Sequence, residues 1–116
     1  MKEIRRKKLE SEIQREISNL IIKQRNKDDR IGLVSVTGVK LTPDFSTLTV
    51  FVSPFGDEEE NNETWRALLQ HAARFQSETS RNLRLRHTPR IVFKLDTSIK
   101  EGDRLLGLME DDPGNA

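Results

Sequence analysis

Apolar residues recur in steps of three and four along the first two dozen positions. Leu9, Ile13, Ile17, Leu20 and Ile21, with Gln24 closing the row, form one stripe, the spacing that puts side chains on a single helical face. The pattern predicts a helix from about Glu3 to Gln24, with Arg5, Lys8, Glu12 and Arg15 on its wetter sides, ended by the polar run Arg25 to Arg30. The period then changes to two. Val34 and Val36 share one face of a strand spanning Leu33 to Leu41; Gly38 interrupts it, and Val39 and Leu41 resume the alternation one position out of step. An extra residue at a glycine followed by a swap of faces predicts a β-bulge. Thr42-Pro43-Asp44-Phe45 is turn chemistry. Leu48, Val50 and Val52 alternate with Thr47, Thr49 and Phe51 in a second strand, Ser46 to Ser53. The short connection makes the two an antiparallel hairpin.

Pro54 to Asn62 reads as an acidic loop, with Asn61 or Asn62 capping the helix that follows and Glu63 in its first turn. Trp65, Leu68, Leu69, Ala72, Ala73, Gln76, Thr79 and Leu83 trace the stripe of a long helical region. Its second half is poorer in apolar residues, which allows a kink or break near Ala72–Ala73. The helical pattern stops at Thr88-Pro89, because proline disfavours helical geometry before it and cannot continue a helix. Ile91, Phe93 and Leu95 then alternate with Val92 and Lys94 in a third strand. Asp96-Thr97-Ser98 offers caps for a last short helix carrying Ile99, Leu105, Leu106 and Met109, and residues 110–116 read as a frayed tail. The predicted order is α-β-β-α(α)-β-α, an α+β chain with one three-stranded sheet and helices on one face.

With 116 residues and no cysteine, the chain fits one domain, residues 1–109, that needs neither disulfide nor metal to hold a core. Thiol catalysis and zinc-finger architecture are excluded. No signal peptide and no membrane-spanning run is evident, so the expected location is the cytoplasm. Net charge is only +1, yet the charges are segregated. Between Arg74 and Lys94 the cations are Arg74, Arg81, Arg84, Arg86, Arg90 and Lys94 against Glu78 alone, and Arg5 to Lys8 is a second basic cluster. Acids gather at Asp57–Glu60 and Glu110–Asp112. Such separation lets a basic face meet a polyanion while the acidic parts stay away from it. The basic helix-to-strand junction therefore reads as a phosphate-backbone platform or as a solvated basic surface.

An enzymatic reading finds no phosphate loop, no Ser/His/Asp arrangement and no carboxylate pair placed for acid–base work. His71 and His87, the two histidines, lack a second ligand at metal spacing, so neither metal nor cofactor is expected. A generic single-stranded RNA module calls for exposed aromatics or a Gly-x-x-Gly loop, and the chain has no Tyr, one Trp and no such loop. A protein-interaction adaptor using the first or last helix is the competing class.

Several segments, in order, resemble the ribosome-binding factor A family. They are Glu12-Ile13-Gln14-Arg15-Glu16-Ile17, Lys27-Asp28-Asp29-Arg30-Ile31-Gly32, Val36-Thr37-Gly38-Val39, Pro43-Asp44-Phe45 and Val50-Phe51-Val52-Ser53. Leu83-Arg84-Leu85-Arg86, Pro89, Phe93, Asp96-Thr97-Ser98, Gly102 and Arg104 complete the match, from about Arg5 to Leu108. The resemblance implies a KH-like fold of the second topology that has lost its glycine-rich loop. It also implies a monomeric factor that docks on the immature small (30S) ribosomal subunit and contacts 16S rRNA near the 5′-terminal and decoding-region helices. It implies support of growth in the cold, no catalysis, and removal by a ribosome-associated GTPase. The family's Ala-x-Gly kink between two helices falls here on His71-Ala72-Ala73. Ala73 stands at the family's glycine and His71 at its alanine, a departure that weakens a sharp kink by helix propensity. Arg5, Lys8, Arg84 and Arg86 match basic positions of the family. Arg81, Arg90 and Lys94 join the expected rRNA-binding set on charge alone.

Overall fold

A computed structural model describes residues 2–96; the expected last helix and tail lie outside them. The amphipathic first stretch forms α1 (Lys2–Arg25), and Ile13, Ile17, Leu20, Ile21 and even Gln24 are buried. The hairpin follows as β1 (Val34–Leu41) and β2 (Thr47–Pro54). A long helix, α2 (Glu58–Asn82), then returns the chain to β3 (Arg90–Leu95).

The sheet order is β1-β2-β3. β1 pairs antiparallel with β2, while β2 and β3 run parallel because α2 carries the chain back between them. The bulge lies where the glycine predicts it: the register shifts between Val36 and Gly38, leaving Thr37 as the extra residue. Leu48, Val50 and Val52 of the central strand are fully buried on the helix side, beside Leu41, Ile91 and Phe93. Thr47, Thr49 and Phe51, on the other face, are only half-buried. Both helices therefore lie on one face. Phe75 joins them to the sheet, meeting Phe93 edge-on at 6.2 Å between ring centroids.

Edge strands expose backbone groups that must be occupied or solvated, and here the helices supply the partners. Gln14 Nε2 donates to the carbonyl of Val36 at 3.2 Å, and Glu10 Oε2 accepts from the amide of Leu41 at 2.7 Å. On the far edge Gln76 Oε1 accepts from the amide of Ile91 at 3.0 Å. These contacts fix how each helix sits along its strand.

Three sequence expectations are corrected. The acidic run is not a loop throughout: Asp57 is the N-cap of α2, and Glu60 closes a capping box with it. Asp and Glu at that spacing satisfy two orphan amides reciprocally, which takes the capping role from Asn61 and Asn62. Second, α2 runs unbroken through His71, Ala72 and Ala73, so one helix replaces the two separated by a kink. Alanine at position 73 removes the glycine that would weaken the helix by about 1 kcal/mol there. Third, the helix ends at Asn82, well before Thr88-Pro89.

Candidate nucleic-acid interface

The early end of α2 shapes one wall of a surface groove. The amide of Arg84 donates to the carbonyl of Arg81 at 3.2 Å, and the amide of Leu85 donates to that of Ser80 at 2.9 Å. This pair of reverse bonds is a Schellman motif, whose key residue adopts the left-handed conformation and is usually glycine. Here it is Arg84, with φ 54°. A second residue does the same thing across the surface. In the β1–β2 turn the amide of Phe45 donates to the carbonyl of Thr42 at 2.8 Å, and Phe45 has φ 64°. These are the two non-glycine residues with positive φ among those described.

Both line the same groove, of about 430 Å³. Its floor is apolar: Leu9 and Ile13 from α1, Leu41 at the end of β1, Phe45, and Leu85 and Pro89 from the α2–β3 connection. Its rim carries Arg5, Arg84, Arg86 and His87, with Asp44 at one side. The three arginines are exposed, and none pairs with a carboxylate among the described residues. Arg5 belongs here by helical geometry, since Arg5, Leu9 and Ile13 are spaced by four and share a face.

The Asp44 carboxylate is held in a fixed pose. Its Oδ1 accepts from the Ser46 amide at 3.0 Å, the Ser46 hydroxyl at 2.7 Å and the Thr42 hydroxyl at 2.8 Å. Those bonds, from Ser46 first and Thr42 second, hold its pKa below the ordinary value, so it remains ionised at neutral pH.

The remaining expected cations lie elsewhere. Lys8 and Arg81 are exposed but do not line the groove. Arg90 and Lys94 alternate with the buried Ile91 and Phe93, so they project from the sheet's opposite face, in register with Thr47 and Phe51. The groove thus unites Arg5, Arg84 and Arg86 and separates them from the other four. Asp44, Phe45, Leu85 and His87 are members that charge reading missed; an aromatic standing in a turn between two strands is the signal that points to Phe45.

The expected kink residues have a different setting. His71 Nε2 lies 2.9 Å from Asp28 Oδ2, and because an ionised carboxylate only accepts, Nε2 is the donor. Arg30 grips the same carboxylate through Nε and Nη2, at 2.9 and 2.6 Å. These bonds, Arg30 first and His71 second, hold the Asp28 pKa far below the ordinary range. His71 therefore ties the middle of α2 to the α1–β1 connection. At the end of β3, Asp96 accepts from the Thr37 hydroxyl at 2.6 Å.

A family model described as Ribosome-binding factor A matches residues 5–109. The chain belongs to that family. A ribosome-binding factor A from Desulforamulus reducens is 40% identical over 101 residues, 85% of this chain and 82% of that protein. One from Natranaerobius thermophilus is 38% identical over 110 residues, 95% of this chain and 83% of the relative. The crystal structure of the Thermus thermophilus protein superposes with a TM-score of 0.66 at 32% identity, covering 78% of this chain and 94% of that one. A homology model of the Thermus thermophilus factor, fitted into the cryo-EM map of a 30S complex, gives 0.64 at 32% identity over 78% of this chain and 93% of that one. The α+β architecture described above is thus the KH-like fold of the ribosome-binding factor A structures.

Proposed function

We propose that this chain binds the immature small ribosomal subunit through 16S rRNA and assists its late maturation as a monomer, acting by binding and not by catalysis. The observation that carries the reading is the groove. Three guanidiniums with no acidic partner among the described residues converge on it from α1 and from the α2–β3 connection. Fixed arginine forks suit phosphate oxygens, and the Thermus thermophilus relative has been fitted into a 30S map. Lys8 and Arg81 extend the basic surface, and Arg90 and Lys94 add a second contact from the face of the sheet opposite the helices. Release by a ribosome-associated GTPase belongs to the same reading.

Co-sedimentation of the purified chain with free small subunits, large subunits and full ribosomes tests it. Selective recovery with free small subunits is expected. Charge reversal at Arg84→Glu and Arg86→Glu lowers that recovery at least tenfold, with the circular dichroism spectrum unchanged. Full-strength binding by the folded double variant would rule out the groove as the contact site.

A further inference from the structure

Three cations alone require only a phosphate backbone. The groove offers more than that, since its floor is apolar and it carries a ring and a fixed acceptor. We infer that it captures one unstacked nucleobase of a single-stranded RNA segment, with the base on Phe45 and the apolar floor, its flanking phosphates on Arg5, Arg84 and Arg86, and an exocyclic amino group donating to Asp44. This rests on the RNA-binding reading above and specifies the form of RNA the site takes.

Four observations support it. A 430 Å³ depression falls within the range of about 300–1,000 Å³ typical of small-ligand sites, whereas the backbone of a closed duplex keeps its bases stacked and out of reach of such a floor. The apolar lining is continuous from Leu9 to Pro89, a surface that phosphate contacts leave idle but a base covers. Phe45 and Arg84 both stand at left-handed positions that favour glycine, and both line this one groove. Strained side-chain placements of this kind cluster where a ligand is held. Finally, the three hydrogen bonds that Thr42 and Ser46 give Asp44 all fall on Oδ1, so Oδ2 is the carboxylate oxygen that a further donor would meet, and Asp44 lines the groove. A carboxylate oxygen accepts from the N4 amino group of cytosine and repels the O4 carbonyl of uracil, so the two pyrimidines are told apart at equal size.

The test is fluorescence anisotropy of the full chain with labelled oligoribonucleotides of one length: oligocytidylate, oligouridylate, an abasic strand with the same phosphates, and a blunt duplex. The intact cytidylate strand is expected to bind roughly tenfold or more tightly than the abasic strand and more tightly than the duplex. It should also exceed oligouridylate several-fold. In Asp44→Asn an Oδ1 acceptor remains for Ser46 and Thr42 while the other oxygen becomes a donor amide, so the cytidine preference should vanish or invert while the circular dichroism spectrum stays that of the folded parent. Equal affinity for abasic and intact strands overturns base capture while leaving the phosphate reading intact. A cytidine preference that survives Asp44→Asn overturns the role given to Asp44. Failure to bind every RNA form at low salt, together with failure to sediment with small subunits, overturns the functional reading itself.

Discussion

Arg84 shows how far a single residue departs from what its backbone prefers. Glycine at this Schellman position would relieve the steric conflict between Cβ and the carbonyl in the left-handed region, worth about 1 kcal/mol. The chain keeps a guanidinium there instead, and the helix end aims it at the groove rim. Arg84→Gly is therefore expected to raise stability by about 1 kcal/mol in urea denaturation while weakening small-subunit binding severalfold. A variant that loses stability would show that the arginine stem contributes packing that outweighs its strain. The same residue explains a limit of sequence reading. A helix stop is legible from glycine or proline; with arginine in the glycine's place, the nearest visible stop is Pro89, which puts the end of α2 too late.

At the level of elements, the strands were the most legible. Period-two alternation in Leu48, Val50 and Val52 and the glycine at position 38 identify β2 and the bulge because burial of one sheet face leaves little freedom of register. Helix ends were less so. The Asp57-x-x-Glu60 capping box was present in the chain, but a run of four acids also reads as a hydrated loop, and only the amides they satisfy decide between the two. The continuity of α2 at residue 73 makes a prediction of its own. Ala73 is exposed within the helix, so Ala73→Gly should lower stability by about 1 kcal/mol and move chemical shifts from residue 71 to 75. An unchanged denaturation midpoint would argue against a regular helix there. The tie between α2 and the α1–β1 connection is a pH-dependent one. The Asp28 pKa is depressed in the folded chain by Arg30 and His71, so its contribution is present above the ordinary carboxyl value of 3.8 and is lost as pH falls below it. The melting temperature of the parent chain should accordingly fall more steeply on acidification below about pH 4 than that of Asp28→Asn. Parallel curves for the two would remove the Asp28 cluster from the acid response.

For the whole molecule, the decisive property is where charge sits and not its sum. The acidic first turn of α2 and the arginine at its far end are separated by a helix of 25 residues, about 37 Å at about 1.5 Å per residue. Several Debye lengths at physiological salt lie between them, so a net charge of +1 conceals a strongly basic pole. With Arg5, Arg84 and Arg86 each neutralising one phosphate, log K for small-subunit binding should fall with log salt at a slope of about −2 to −3. A slope near zero would favour docking through protein surfaces. The groove that carries these arginines is assembled from the start of the chain, a hairpin turn in its middle and a connection near residue 85. No local stretch of the polypeptide contains it, so an unfolded chain has nothing equivalent to offer. Occupancy of the groove and integrity of the domain are consequently linked equilibria. A subunit site presented at about a hundred times its dissociation constant adds about 2.7 kcal/mol to the native state, and the cargo shelters its carrier.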